Sequence, residues 1–224
     1  MTRTYRMGVE RVPAVQDVSL QVRASEFVAL QGPSGSGKTT LLNILGLLDR
    51  PDAGNLLIAG REAGGLSENE RADLRRDRFG FVFQTFNLIP VLSAQENVAY
   101  PMALAGVAAG ERRTRAEQLL AAVGLEQKSS VRPDLLSGGQ RQRVAIARAL
   151  ANHPAVVFAD EPTANLDSKT AEDILDLMRG LCDSRRVAFL FATHDPRVVA
   201  RARRVVSLHD GRIESDVVSP EPAR

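Results

Sequence analysis

Apolar residues along this chain fall into two textures. Residues 26–31 (EFVALQ), 155–159 and 187–192 are near-continuous apolar blocks of strand length, the pattern of strands covered on both faces. Residues 79–83 predict another strand and 56–59 a shorter one. Between the blocks, apolar positions recur at helical spacing over 38–48, 110–123 and 168–181, with Gly124 placed to end the second helix. Residues 67–70 and 93–96 both read Ser-x-x-Glu, the capping box that opens a helix. Asp195-Pro196 predicts an N-cap with a first-turn proline. Residues 205–208 and 212–214 flank His209-Asp210-Gly211 and predict a closing hairpin on a tight turn. Strands alternating with helices predict an α/β fold with a mainly parallel sheet. The segment 84–153 is expected to be a helical subdomain between core pieces 1–83 and 154–218 of a single domain. Residues 219–224 are expected to be a frayed tail.

Composition narrows the class. Of 224 residues, 44% are hydrophobic and only 4% aromatic, with no Trp, which disfavours a nucleic-acid platform of stacked rings. Net charge is +2, so no polyanionic partner is demanded and no nucleic acid is expected. A lone cysteine, Cys182, excludes an internal disulfide and is expected to be a buried small side chain. No apolar run approaches the roughly 20 residues of a membrane-spanning helix, so a membrane role would act through a partner. Arg201, Arg203 and Arg204 are expected to form a solvated basic face.

Gly32-Pro33-Ser34-Gly35-Ser36-Gly37-Lys38-Thr39 matches the phosphate-binding loop in full, with a strand before it and a helix after it. Glycines let the backbone wrap so that N–H groups and the helix N-terminus converge on a phosphate chain. Lys38 is expected to reach the β- and γ-phosphates, and the Thr39 hydroxyl, followed by Thr40, to ligate Mg²⁺. Residues 156–161 end an apolar strand in two carboxylates. Asp160 is suited to holding Mg²⁺ and Glu161 to acting as general base on water. Leu136-Ser137-Gly138-Gly139-Gln140 precedes another helix and gives a second anion site of hydroxyl, N–H groups and helix dipole. Two anion sites with one lysine suggest that two chains share each nucleotide.

The order GPSGSGKT, Gln84, LSGGQ, FADEP, Asn165-Leu166-Asp167 and Thr193-His194-Asp195 resembles the nucleotide-binding subunit of an ABC transporter, over nearly the whole chain. Asn43-Ile44-Leu45-Gly46, residues 81–90 and Glu96-Asn97-Val98 resemble the macrolide-export and lipoprotein-release branch, which also includes FtsE-like cell-division ATPases. The resemblance implies a P-loop NTPase core with an N-terminal antiparallel β part and a helical signature subdomain. It implies that Gln84 senses Mg²⁺ and the γ-phosphate, that His194 contacts the γ-phosphate and orients Glu161, and that Tyr5 stacks on adenine. Ser137, Gly138, Gly139 and Gln140 would bind nucleotide held by the other chain, and Asp167 would touch that chain. The implied activity is ATP hydrolysis by a homodimer at the cytoplasmic face of the membrane, powering an integral membrane permease for export or lipoprotein release. The alternative is an FtsE-like regulator that moves no cargo. Two departures stand out. Only four residues precede Tyr5, so either a shortened antiparallel sheet or a start placed too far downstream is expected. Ser25 stands where glycine is common, so a less favourable backbone conformation is expected there.

Overall fold

A computed structural model describes residues 1–8 and 10–218; the tail expected over 219–224 lies outside them. Three strands that read as continuous apolar blocks form the centre of a six-stranded sheet: β3 (Phe27–Gln31), β7 (Val156–Asp160) and β8 (Ala188–Thr193). The sheet order is β10-β9-β3-β8-β7-β6, with β6 (Phe79–Phe83), β9 (Arg204–His209) and β10 (Arg212–Val218) completing it. All neighbours pair in parallel except β9 with β10, the hairpin read from Asp210-Gly211. Both turn residues have positive φ, 45° and 75°, as that hairpin turn requires. Two short antiparallel pairs lie outside this sheet: β1 (Arg3–Met7) with β2 (Glu10–Val15), and β4 (Leu57–Ile58) with β5 (Arg61–Glu62).

The two faces of the sheet belong to two apolar cores, and strand alternation assigns residues between them. Val28, Leu30, Leu190 and Ala192 pack with Leu41, Leu42 and Ile44 of α1 (Lys38–Leu45). Phe27, Ala29, Phe189 and Phe191 face the opposite core. There they join side chains from α3 (Ala94–Leu104), α4 (Ala109–Ala122), α5 (Gly138–Ala149) and α6 (Ser168–Arg185). Each fully buried Leu or Phe contributes about 1.5–3 kcal/mol, which is why a continuous apolar strand selects the sheet centre. Both expected capping boxes form, Ser67 opening α2 (Glu68–Arg78) and Ser93 opening α3. Asp195 caps α7 (Pro196–Arg201) through the Arg197 N–H.

Four local readings change. The helix expected over 38–48 ends at Leu45, because the chain turns at Gly46 and Leu47 is left-handed at φ 59°. Leu47 is nonetheless buried, so its apolar character reports packing rather than helix. α6 runs on to Arg185, four residues beyond the apolar periodicity. The basic face expected at Arg201, Arg203 and Arg204 is not solvated as a unit. Arg204 is buried and bonds Asp216, Glu26 and the Gln21 carbonyl, while Arg201 and Arg203 pair with Asp176 and Asp183. The hairpin strands are also longer than the apolar core of the pattern, running to Arg204 and Val218. Ser25 does take positive φ, 60°, and Cys182 is buried, its thiol pushed up to about 11 chiefly by desolvation. No helix among the described residues is long and apolar enough to cross a membrane.

Candidate nucleotide site

Parallel pairing in register brings four chain segments to one edge. Gln31 is level with Thr193, and Asp160 pairs with both Ala192 and Phe83. The loops leaving β3, β6, β7 and β8 therefore start side by side at the carboxyl edge of the sheet, where α/β folds place ligands. Those loops carry Gly32–Lys38, Gln84, Asp160-Glu161 and His194.

The loop after β3 is shaped by close backbone packing. A Cβ on Gly32 would sit 2.2 Å from the Leu208 carbonyl oxygen, and one on Gly37 would sit 2.1 Å from that of Ala14. Gly37 occupies the N-cap of α1 at φ 98° and supplies no side-chain cap, whereas Ser, Asp or both oxygens of a capping box serve α2, α3, α5, α6 and α7. The first N–H groups of α1 are thus left for an anion. Lys38 is buried and folds back to donate to the Gly32 and Pro33 carbonyls, both at 2.8 Å. An ammonium has three donors, so one remains for a ligand. Burial lowers the Lys38 pKa, against the upward pull of Glu161 and Asp160. The Ser36 hydroxyl is buried with no protein partner.

Thr39 and Asp160 meet across 121 residues of chain, Oγ1 donating to Oδ1 at 3.1 Å. Hard oxygen ligands of this kind suit Mg²⁺, which takes one or two protein oxygens and completes its shell with phosphate and water. Among the described residues, no group of three or more His, Cys, Asp or Glu is placed to hold an ion. Burial raises the Asp160 pKa, helped by neighbouring Glu161 and opposed by Thr39 and Lys38.

Glu161 sits in the left-handed region, φ 45°, with its N–H bonded to the Ala192 carbonyl at 2.9 Å. Its Oε2 accepts from the Thr193 hydroxyl at 2.9 Å. Its Oε1 accepts from the His194 N–H at 3.1 Å and lies 2.6 Å from His194 Nδ1. Gln84 is exposed, and its carbonyl accepts from the Asn165 side chain at 3.0 Å. The segment after it is held from α5: Arg148 donates to the Phe86 and Asn87 carbonyls, and the Arg141 guanidinium lies 5.1 Å from the Phe86 ring centroid.

Among the described residues, none of the remaining expected site residues hydrogen-bonds to Lys38, Thr39, Asp160, Glu161 or His194. Ser137 is exposed and closes a capping box on its own helix, accepting from the Gln140 N–H while Gln140 Oε1 accepts from the Ser137 N–H. Gly139 is pressed on α6, where a Cβ would come within 2.5 Å of Thr170 Cγ2. Gly138 faces Leu166 more loosely. Asp167 is exposed and caps α6 through the Thr170 N–H. Tyr5 donates to Asp49 Oδ2 at 2.7 Å and lies under the Arg3 guanidinium, 4.9 Å from its centroid, so one face of the ring already carries a cation. Sequence reasoning gave no role to Thr163, Thr193, Arg141 or Arg148; their contacts span long separations that no local spacing signals.

The chain matches the ABC transporter family model over residues 15–164. It is 50% identical over 212 residues to an ABC transporter ATP-binding protein of Thermotoga maritima, covering 95% of this chain and 90% of that one. It is 49% identical to the macrolide export ATP-binding/permease protein MacB of Syntrophobacter fumaroxidans, covering 96% of this chain and 30% of the relative. Against the pyoverdine export ATP-binding/permease protein PvdT of Pseudomonas aeruginosa the identity is also 49%, covering 96% and 32%. The chain thus spans about a third of these two export proteins. The solved ATP-binding cassette MJ0796, dimeric in a post-hydrolysis state with ADP and Pi, superposes with a TM-score of 0.89 at 44% identity, covering 99% of this chain and 97% of that one.

Proposed function

Because the chain belongs to the ABC transporter family and is an ATPase of that family's cassette type, we propose that two copies close head to tail around two MgATP and power an integral membrane permease. The direction is outward, as export or lipoprotein release, with the chain peripheral at the cytoplasmic face of the membrane. Each site would join the Gly32–Thr39 loop, Thr40 and Tyr5 of one copy to Ser137, Gly138, Gly139 and Gln140 of the other, with Asp167 at the seam. Lys38 and the α1 N–H groups bind the phosphates and neutralise their charge. Thr39 and Asp160, with Gln84 beside them, would hold Mg²⁺, which supplies further charge neutralisation on the phosphates. Glu161 accepts the proton of the attacking water, and His194 orients both Glu161 and the γ-phosphate.

The observation that carries this reading is the division of the site. Lys38, Thr39, Asp160, Glu161 and His194 gather at one sheet edge, while Ser137 stands exposed and Gly138–Gln140 half-buried at a helix start whose capping bonds are its own. The names of the export relatives support the permease and the direction. Glu161→Gln, which keeps the size and removes the base, provides the test. Tagged variant expressed in its native cells and solubilised gently with MgATP should bring down a stoichiometric integral membrane protein. Recovery of only soluble, ribosomal or nucleic-acid partners would overturn the transporter reading and leave the ATPase intact.

A further inference from the structure

The loop after β7 and the loop after β8 hold each other through a reciprocal pair of hydroxyl–carboxylate bonds. Thr193 donates to Glu161 Oε2 at 2.9 Å, and Thr163 donates to Asp195 Oδ2 at 2.8 Å. Each segment gives a threonine hydroxyl and receives one on a carboxylate two residues away. Thr163 is 1% exposed and Thr193 is fully buried. Asp195 is fixed further by Arg197, whose guanidinium reaches both carboxylate oxygens.

The direction of the Thr193 bond follows from its other partner. Thr193 Oγ1 accepts from the Asp195 N–H at 3.0 Å, and an N–H can only donate, so the hydroxyl proton is left to point at Glu161. The contacts of Glu161 also differ in permanence. The His194 side chain is 73% exposed and has room to change rotamer. Thr193 has no such freedom, because its β-branched side chain is enclosed in the end of β8. A carboxylate presents about four acceptor positions, and Thr193 takes one on Oε2.

We infer that Thr193 is a positioning residue for hydrolysis: its buried hydroxyl fixes the carboxylate plane of Glu161, so that the free acceptor position of Oε2 faces the attacking water. Thr163 and Arg197, bonded to the Asp195 carboxylate, hold the Asp195 N–H, and therefore the hydroxyl, in place. This rests on Glu161 acting as the base. It also explains how a non-glycine residue is kept at φ 45° at the end of β7, since side chain and backbone are both bonded to β8.

Thr193→Val keeps the shape and removes the hydroxyl; Thr193→Ser keeps the hydroxyl and removes the methyl. Steady-state ATPase kinetics are measured on both, with MgATP affinity determined separately from a fluorescent analogue. The Val variant should lose about ten- to hundredfold in kcat with KM and affinity within about twofold of wild type, the loss of one charge-assisted bond. The Ser variant should recover to within about threefold of wild type. Wild-type kcat in Thr193→Val, equal impairment of Val and Ser, or parallel loss of kcat and affinity would each overturn the inference. Should Thr193→Val not fold, Thr193→Ala is read by the same criteria. Glu161→Gln run alongside separates the two readings. If it turns over like wild type, the role of Glu161 fails; if it is inactive while Thr193→Val is normal, only the positioning role fails.

Discussion

The phosphate-loop edge and the N-terminus of α5 both present donors to an anion, yet they are held in opposite ways. At the edge, Lys38 is held within its own loop, but Thr39 is tied to Asp160 and Glu161 to Thr193 across strand-end loops, over separations of up to 121 residues. At α5 the donors sit in four consecutive residues, Ser137 exposed and the rest half-buried, and their capping bonds stay within one helical turn. The first region is complete only when the whole sheet has formed, whereas the cap of the second closes within one turn of a helix packed against α3, α4, α6 and β6. On the reading proposed above, one chain finishes one half of a site and displays the other half.

The largest expected effect attacks the finished half. Glu161→Gln should lower ATPase kcat by roughly 10²–10⁴ while retaining MgATP binding; light scattering should show the mass rising from one chain towards two with ATP and not with ADP. Lys38→Met comes next. It should weaken nucleotide binding by about ten- to hundredfold, since a bond to a charged group is lost, and a calorimetric titration showing unchanged affinity would remove Lys38 from the site.

In the displayed half the effects turn from chemistry to stability. Gly139→Ala puts a Cβ against Thr170 Cγ2 and should cost about 1–3 kcal/mol in denaturant unfolding. Thr170→Ser removes that methyl, so the double variant should regain most of the loss. Ser137→Ala should cost about 1 kcal/mol through the lost cap, leave nucleotide binding to single chains untouched, and still depress turnover. An ATPase rate equal to wild type would show that Ser137 only caps.

The smallest effect is a pH dependence at the finished half. Burial raises the Asp195 pKa, but the bonds from Arg197 and Thr163 outweigh it and hold the carboxylate below its ordinary range. A depressed folded pKa contributes stability that is present above the unfolded value of about 3.9 and is lost as pH falls through the folded value. Arg197→Met should thus be less stable than wild type at neutral pH, and the gap should close only below about pH 3.9. A gap independent of pH would assign the role of Arg197 to packing.

The same contrast governs what the sequence discloses. The α5 signature, both capping boxes and the Asp210-Gly211 turn are local patterns, and each reads directly because cause and effect lie within four residues. The central strands read equally well, since burial on both faces leaves a continuous apolar block. Leu47 misleads for the same reason: it is apolar because it is buried, while Gly46 and a left-handed backbone have already ended the helix. Arg204 looks like one of three surface arginines until β9 and β10 pair and bring Asp216 beside it. Lys38, Asp160, Glu161 and His194 are legible as motifs, but Thr193 and Thr163 acquire meaning only from the register of β7 with β8. No spacing in the chain encodes that register.

The capping box at Ser137 sets a rule about which residues evolution could place there. An Asp or Asn would accept from the Gln140 N–H at least as well, so helix stability alone would not distinguish them. A hydroxyl differs in having two ends: its lone pair is spent on the helix, and its proton remains to point outward. A carboxylate in the same position would meet a phosphate with like charge and no proton to give. On the reading proposed above, serine serves its own fold and still keeps a proton to donate to a neighbour's phosphate, which a carboxylate could not do.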